Sequence, residues 1–570
     1  MGVKHFYYWY SRAHKSCISR VLSCPVDTLC IDMNGLFHGC AQKVYRYGDF
    51  ATSVPLSVFE RGASATGSEE AYKRKLFREV CEKTDIIVRS VKPTGSLLLF
   101  VDGVAGLGKM NQQRQRRFRS CQDRAASERS PAAVSAGVPA FNPNQFTPGT
   151  ALMDSLTKAI DTFIRRKQIA DPIWRDLKVV LSNEKVPGEG EHKIMDYLRR
   201  NPCPSACIYG MDGDLMMLAT LLPVDKVYIA RETDYYRWEY VDVDDFSKKI
   251  IDEIDWTRDG TAEYSAGSVG TSEGVQGDAK TFCKKRGMRD FVMMCFLVGN
   301  DFLPTTPALS IIDGGLTLLF QVYRSVCRSE GHLTGFRSDR VVLSRRPLIA
   351  FLSELARHEK TILERKYNSG RVFHHDPIVV RNSTRVNGLT IIDMDAVADE
   401  YYRTKFADGS DRNTIARHYL DGIIWVMNYY EAGMPDWLWC YPHLFGPFIR
   451  DLADAAPAFK PRRFDYNEPV DPMLQLMMVL PPSDQREMVP PVLHMMNNPE
   501  HKKYFPDRVE IDMSGKKKDW EGIPIVPFVS VPDFCRFYNA RKTMIPAADA
   551  RRNIRGKTFV YTAGTCSSLN

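Results

Sequence analysis

The pattern of apolar and polar positions along the chain predicts strands that alternate with helices. Five short apolar runs are typical of strands buried on both faces of a parallel sheet. They cover residues 28–31, 97–101, 179–181, 206–209 and 227–229. Segments with helical periodicity lie between them, for example residues 151–168. This alternation predicts an α/β fold.

The second half of the chain has a different pattern. After residue 347 it is mainly helical to about residue 430, and then aromatic and rich in proline to about residue 535. Residues 258–281 are rich in Gly, Ser and Thr, which predicts a flexible insertion. Residues 541–557 hold six basic residues and one acid, Asp549. We interpret them as a basic tail, with an import signal, an RNA contact and a plain solvated surface as open roles.

Composition excludes several classes of protein. The chain has 570 residues, of which 44% are hydrophobic, enough for a sizeable core. Its formal net charge of +8 is only mildly basic. No apolar run is long enough to cross a bilayer, and the first residues lack an apolar signal core. The 14 cysteines lack paired CxxC spacing, which predicts reduced thiols in a soluble intracellular protein, cytoplasmic or nuclear.

Acidic residues follow the predicted strands. Seven acids stand at or just after apolar runs: Asp32, Asp102, Glu189, Glu191, Asp212, Asp214 and Asp301. Because ligands bind beyond the carboxyl ends of strands in open α/β sheets, we expect these acids to lie together. Like charges repel, so such a cluster requires cations, and hard oxygen ligands select Mg²⁺ or Mn²⁺. Two such ions would suit phosphoryl displacement. A turn or helix cap is the alternative for any single acid.

A predicted helix after Asp102 has a cationic face. Lys109, Gln113, Arg116 and Arg117 stand at i, i+4, i+7 and i+8, which places them on one side of a helix. Guanidinium groups bind phosphate in a bidentate manner, although many charge runs are only solvated surfaces. Beside an acid cluster, this face favours a nucleic-acid backbone as substrate.

Aromatic residues suit a single-stranded substrate. The rings of His38, Trp437 and Trp439 are candidates for stacking on bases. Core packing is the alternative for each tryptophan.

At these residues the chain resembles the Xrn-type 5′→3′ exoribonucleases. The matching segments include CIDMNGLFH (30–38), LFVDGVAGLGKMNQQRQRRFRS (99–120), VPGEGEHKIMDYLR (186–199), IYGMDGDLMML (208–218), FVMMCFLVGNDFLPTTPAL (291–309) and WVMNYYEAGMPDWLWCYPH (425–443). In order and spacing, the matching segments span roughly residues 1–530. One departure is Lys4, which stands where the family usually has proline.

The resemblance implies an architecture. The fold would be a mixed, mostly parallel sheet flanked by helices, a nuclease core related to the PIN and flap-endonuclease folds. This core would cover residues 1–345. A largely helical second conserved region would cover residues 346–535 and complete the active-site channel, and residues 536–570 would form the basic tail.

The resemblance also implies roles. The seven acids would be the catalytic ligands of two Mg²⁺ or Mn²⁺ ions. Lys109, Gln113, Arg116 and Arg117 would bind a 5′-monophosphate, and His38 would stack on the first base with Trp437 or Trp439. The protein would be a monomer that degrades 5′-monophosphorylated single-stranded RNA processively to 5′-mononucleotides in mRNA turnover, with decapping factors as candidate partners and no membrane association.

Two other functions remain open at this point. A DNA nuclease of the flap-endonuclease class would share the metals and the basic helix, but the match in the second conserved region argues against it. An inactive RNA-binding scaffold would have lost one or more of the acids, and none is missing here.

Overall fold

Strands buried on both faces form the centre of the protein in a computed structural model. The structure describes residues 2–48, 68–128, 138–233, 237–257, 281–369, 374–406, 409–562 and 565–569. All five predicted strands are present, with ends shifted by at most a few residues. The strands are β1 (Ile18–Ser19), β2 (Thr28–Asp32), β3 (Ser96–Phe100), β4 (Lys178–Ser182), β5 (Ser205–Tyr209), β6 (Lys226–Glu232), β7 (Trp238–Asp242), β8 (Thr334–Arg337), β9 (Arg340–Leu343), β10 (Ser383–Val386), β11 (Leu389–Ile392), β12 (Glu510–Asp512), β13 (Ile523–Ile525), β14 (Thr558–Thr562) and β15 (Thr565–Leu569).

Nine of these strands form one mixed sheet, in the order β1-β7-β6-β5-β2-β3-β4-β14-β15. The five central strands, β6-β5-β2-β3-β4, are all parallel. Antiparallel strands extend the sheet at both edges. The predicted mixed, mostly parallel sheet is therefore confirmed, and the carboxyl ends of its central strands share one edge.

Helices cover both faces of the sheet and form most of the second half of the chain. They are α1 (Phe6–Ala13), α2 (Met33–Tyr45), α3 (Glu69–Val91), α4 (Leu107–Glu128), α5 (Ala151–Ala170), α6 (Pro172–Arg175), α7 (Gly190–Arg200), α8 (Leu215–Thr220), α9 (Val243–Ile254), α10 (Lys284–Phe296), α11 (Gly315–Glu330), α12 (Arg345–Asn368), α13 (Pro377–Arg381), α14 (Met394–Lys405), α15 (Arg412–Ala432), α16 (Ile449–Ala455), α17 (Pro472–Val479), α18 (Pro482–Met488), α19 (Val531–Asn539) and α20 (Ala547–Ala550).

The strands divide their side chains between two cores, because successive residues of a strand point to opposite faces. Leu29 and Ile31 of β2 face a core with α2, α3 and α5. Cys30 between them faces a second core. That second core runs from the sheet through α10 and α11 to α12 and α15, so it continues without a break across residue 345. The helical second region thus shares its core with the nuclease region.

Helix α4 is also held by the second region. It packs against α17 and β13. Arg114 on its buried side donates hydrogen bonds to the backbone carbonyls of Met478, Tyr504 and Pro527. These bonds satisfy carbonyl groups that would otherwise be buried without partners, which is costly. The second region therefore fixes the position of the helix that carries the predicted phosphate-binding face.

The described part of the segment predicted as a basic tail, residues 536–570, contains helices and strands. Strand β14 pairs antiparallel with β4, and β15 pairs with β14, so this segment extends the central sheet. Arg552 donates a hydrogen bond to the carbonyl of Gly149, and Arg555 forms an ion pair with Glu468. Several of the tail's charges therefore anchor the segment to the fold.

Two further predictions concern a flexible insertion and the lack of membrane-spanning segments. The predicted flexible insertion at 258–281 lies outside the described residues except for its last one. In the described part of the chain, none of the helices has the length and apolar character needed to cross a membrane.

Candidate active site

Six carboxylates stand at the shared carboxyl edge of the central strands. Asp32 is the last residue of β2 and caps α2, accepting a hydrogen bond from the backbone N–H of Asn34 at 3.4 Å. Asp102 follows β3. The other four stand in the turns after β4 and β5, at the starts of α7 and α8: Glu189, Glu191, Asp212 and Asp214. The parallel strands bring these residues together, as the sequence predicts.

Gly190 allows two of the acids to approach each other. Its backbone N–H donates to Oδ1 of Asp102 at 2.7 Å. A Cβ atom at this position would lie 2.7 Å from Oδ1 of Asp32 and 3.4 Å from Oδ1 of Asp102. The first distance is too short for a side chain, so glycine is required where the backbone passes between the two carboxylates.

The seventh acid, Asp301, joins the cluster through the N-terminal segment. The backbone N–H of Gly2 donates to Oδ1 of Asp301 at 3.1 Å, and that of Val3 donates to Oδ1 of Asp214 at 2.6 Å. Gly2 has a positive φ of 51°, and a Cβ there would lie 2.1 Å from Asp214 Oδ1. The chain's first residues therefore form one wall of the site.

Two adjacent tyrosines of α15 donate hydrogen bonds to two acids of the cluster. The hydroxyl of Tyr429 donates to Oε1 of Glu189 at 3.0 Å. The hydroxyl of Tyr430 donates to Oδ2 of Asp214 at 2.7 Å. Because α15 belongs to the second region, that region contributes directly to the geometry of the acid cluster.

Lys109 lies inside the cluster. Its Nζ is 2.5 Å from Oε2 of Glu189 and 2.8 Å from Oδ2 of Asp301. Burial alone would lower the pKa of this lysine, but the surrounding carboxylates raise it well above its usual value. In this structure Lys109 is thus a counterion of the acids, whereas the resemblance implies that it binds phosphate.

Most of the other acids in the cluster have too few cations nearby to offset their mutual repulsion. Burial, together with repulsion from Asp102 and Asp212, raises the pKa of Asp32 to about 8. Burial and neighbouring acids raise the pKa of Asp214 to about 7, and that of Glu191 well above its usual value. Asp301 is the exception, because its contact with Lys109 outweighs burial and lowers its pKa. The mutual repulsion is therefore only partly compensated.

This donor set fits divalent cations chemically. It consists of hard oxygen ligands, and Oε2 of Glu191 is buried without a hydrogen-bond partner among the described residues. No group of three or more His, Cys, Asp or Glu side chains in the described ranges already stands at metal-binding geometry. The Lys109 ammonium occupies the space between Glu189 and Asp301 instead.

The cationic face of α4 lies next to the acids. The side chains of Gln113 and Arg117 are both buried, and Nη1 of Arg117 donates to Oε1 of Gln113 at 3.2 Å. Burial and the neighbouring charge of Arg116 lower the pKa of Arg117 to about 9. Arg116 itself is exposed. One guanidinium is therefore fixed in place, while the other is available to a ligand.

His38 lies beside these arginines. Burial and the charges of Arg116 and Arg117 lower its pKa to about 3, so the imidazole is neutral at physiological pH. Its ring contacts Phe146 edge-on, with centroids 5.0 Å apart. A neutral ring held by a second aromatic residue next to a cationic face is suited to stacking on a base.

The two candidate tryptophans have different environments. Trp439 is only 7% exposed and stacks on Trp425 within the core, which leaves little of its ring accessible to a base. Trp437 is half-buried, and its backbone carbonyl accepts a hydrogen bond from the N–H of Leu107 at the start of α4. Trp437 is therefore the better candidate for stacking on a base, because its backbone is joined to the first residue of α4.

Two family models match this chain. The family model described as the XRN 5′-3′ exonuclease N-terminus matches residues 1–233, and the model of the Xrn1 helical domain matches residues 281–389 and 394–569. The chain belongs to the Xrn family of 5′→3′ exoribonucleases. The boundary between the two matched regions falls before α10, whereas the sequence predicts it at residue 345.

Similar Xrn proteins come from distant eukaryotes. The 5′-3′ exoribonuclease 2 homolog of Drosophila melanogaster is 26% identical over 98% of this chain and 73% of its own length. The 5′-3′ exoribonuclease 2 of Arabidopsis thaliana is 25% identical over 93% of this chain and 66% of its own length. For the 5′-3′ exoribonuclease 1 of Schizosaccharomyces pombe the identity is 24% and the coverages are 99% and 50%.

Several residues of this Xrn site have no signal in the sequence pattern. Tyr429 and Tyr430 lie in an apolar helix, where tyrosine is an ordinary core residue, so the pattern carried no signal for them. Gly2 and Val3 act through their backbone N–H groups. Almost any residue type supplies a backbone N–H, so the sequence carries no signal for these contacts.

The raised pKa of Asp32 predicts a pH-dependent stability in the absence of divalent cations. Between its unfolded value of about 3.9 and its folded value of about 8, the unfolded chain releases a proton that the folded protein keeps. The free energy of unfolding should therefore fall as the pH rises from 5 to 8. Denaturant titrations in EDTA at several pH values measure this slope.

Asp32→Asn provides the control, because it removes this titration. Its unfolding free energy should fall less steeply over the same pH range than that of the unmodified protein. Equal slopes for the two proteins would contradict the assignment of a raised pKa to Asp32.

Proposed function

We propose that this protein degrades single-stranded RNA from a 5′-monophosphate, releasing 5′-mononucleotides one after another by two-metal-ion chemistry, in mRNA turnover. The observation that carries the proposal is the position of the exposed Arg116 and the buried Arg117 beside seven clustered acids. A cationic surface that fits a phosphate stands next to oxygen ligands that require cations. A terminal phosphate and the first phosphodiester of a strand match that pair of features.

The first step of the proposed reaction is capture of the 5′ end. Arg117 is held by Gln113 at 3.2 Å, so its guanidinium loses little freedom on binding. Arg116 is exposed and adds a second guanidinium. Bidentate hydrogen bonds from such groups favour a doubly charged terminal phosphate over a hydroxyl end.

The next step is placement of the first nucleotide. The neutral ring of His38 and the indole of Trp437 would hold the first base by stacking, which is tolerant of sequence. The backbone at Gly2 and Val3 closes one side of the acid cluster. This wall favours a single strand that enters by its end over a continuous duplex.

The seven acids would hold the metal ions. When bound, two magnesium ions would neutralise the cluster and supply Lewis-acid stabilisation of the charge that develops at the scissile phosphate. The hydrogen bonds of Tyr429 to Glu189 and of Tyr430 to Asp214 orient two of the ligands. Such orientation by outer groups commonly tunes affinity for metal.

Removal of single acids tests the catalytic assignment. Asp212→Asn and Glu189→Gln should each lower the rate of RNA hydrolysis at least about 100-fold. Binding of a 5′-phosphorylated oligoribonucleotide should stay measurable, because the cationic face of α4 is unchanged. The measurement is a time course on 5′-monophosphorylated RNA in Mg²⁺ and in EDTA.

Asp225→Asn, at an exposed acid outside the cluster, is the matched control and should keep normal activity. Near-normal hydrolysis by both cluster variants would refute the assignment. The same assay with a DNA strand of equal sequence distinguishes the rival nuclease class, since faster loss of DNA would reject an RNA substrate.

Replacement of Arg116 tests 5′-end recognition. Loss of one charge-assisted contact of about 1.5–3 kcal/mol should reduce the preference for 5′-monophosphate over 5′-hydroxyl RNA about 10- to 100-fold in Arg116→Ala. The ratio of the two initial rates is the measurement. Arg200→Ala, at an exposed arginine at the end of α7, is the control, and an equal ratio in both variants would remove Arg116 from the phosphate site.

Three expectations from the sequence stay predictions. They are decapping factors as partners, a monomeric state, and a location in the nucleus or cytoplasm.

A further inference from the structure

A large cavity adjoins the acid cluster on another side of α4. Its volume is about 920 Å³, within the usual size of small-ligand pockets. Arg116 and Asp301 form part of its wall, so it borders the proposed reaction site. The rest of the wall comes mostly from the second region, including α12 and residues 512–524.

Five lysines line this cavity: Lys405 and Lys517 pair with acids, and the other three come from separate parts of the chain. Lys4 precedes α1, Lys366 lies in α12, and Lys516 follows β12. Neither Lys366 nor Lys516 has a hydrogen bond or ion pair through its ammonium group with any part of the chain that the structure describes. Burial, together with the charge of Lys4, lowers the pKa of Lys516 to about 8, and burial with the charge of Lys516 lowers that of Lys366.

The acids in the same wall attract these two lysines only from a distance: Asp313 and Asp376 act on Lys366, and Glu521, Asp512 and Asp376 act on Lys516. Asp313 pairs with Lys517 at 2.6 Å, and Asp512 forms a hydrogen bond with Lys405. The other acids of the wall have these partners: Asp376 caps α13, Glu521 bonds to His5 and to the backbone of Lys517 and Lys518, Asp519 is 3.5 Å from His374 at the surface, Asp123 is 3.7 Å from Arg119, and Asp301 is 2.8 Å from Lys109. Lys366 and Lys516 therefore leave positive charge in the cavity without a direct partner.

Aromatic side chains share the cavity with these lysines. The accessible aromatic surface comes mainly from Trp520, which is 55% exposed, since Tyr367 and Tyr401 in the same wall are buried. An inorganic anion needs neither this volume nor rings. The combination of enclosed ammonium groups and aromatic surface suits a small ligand that carries both a phosphate and a base.

We propose that this cavity is a second nucleotide site, which binds a nucleoside 5′-monophosphate with its phosphate beside Lys366 and Lys516. The inference rests on the proposed function, because hydrolysis would release this product next to Asp301 and Arg116. The cavity shares Arg116 with the proposed 5′-phosphate face, but neither Gln113 nor Arg117 of that face lines it. Lys4 adds a positive charge at the position where the family usually has proline.

Calorimetric titration of the full chain with uridine 5′-monophosphate and adenosine 5′-monophosphate, without RNA, tests the proposal. Two binding events per chain are expected. The double variant Lys366→Met/Lys516→Met should lose one of them, or bind at least about 10-fold more weakly there. Arg117→Ala should lose the other. Lys360→Met, at an exposed lysine of the same helix, should keep both.

A single event in the unmodified protein, or two unchanged events in the double lysine variant, would overturn the proposal. Inorganic phosphate that binds the lysine-dependent site as tightly as the nucleotides would overturn the assignment to a nucleotide. Preferential binding there of a 5′-hydroxyl oligoribonucleotide would make it an RNA path instead. If thermal unfolding shows that the methionine pair is not folded, Lys366→Gln/Lys516→Gln answers the same question.

Nucleotide binding and RNA hydrolysis are measured separately, so each tests one proposal. Hydrolysis of 5′-monophosphorylated RNA by the unmodified protein is measured in parallel, so absence of activity would count against the proposed function alone. An active enzyme with one nucleotide site would count against the second site alone.

Discussion

Repulsion among buried carboxylates is the constraint on which this structure depends. Six acids meet at the edge of a parallel sheet and Asp301 joins them, and burial strengthens every unfavourable pair. The raised pKa values of Asp32 and Asp214 are direct consequences. Such an arrangement lowers stability, and proteins keep unfavourable arrangements of this kind mainly at functional sites. The surrounding elements can be understood by how they hold or offset these charges.

The second region completes the active site from its own helices. Tyr429 and Tyr430 of α15 orient two of the acids, and the carbonyl groups around Arg114 fix α4. Because one core joins the sheet to α12 and α15, neither region would position the site alone. The two regions matched by the family models therefore share one core and one active site.

The parts that were predictable from sequence follow from local patterns. Strands buried on both faces produce apolar runs, and parallel strands bring the residues that follow them to one edge, so the acids were predictable. Contacts between distant segments were not. Trp439 looks like an exposed stacking residue until α15 supplies Trp425 beside it. The basic residues near 550 resemble a tail because nothing local reveals that β14 pairs with β4. The resemblance implies a phosphate ligand role for Lys109, and only the fold places its Nζ between Glu189 and Asp301.

The most direct test of this account is a crystal structure of the protein soaked with Mn²⁺, with anomalous scattering data collected to locate the metal. Two anomalous peaks should lie among the seven carboxylates, and the ammonium of Lys109 should have left its position between Glu189 and Asp301. A site without ordered manganese, or with Lys109 unmoved and the metal bound elsewhere, would contradict the claim that this cluster is built to be neutralised by two divalent cations.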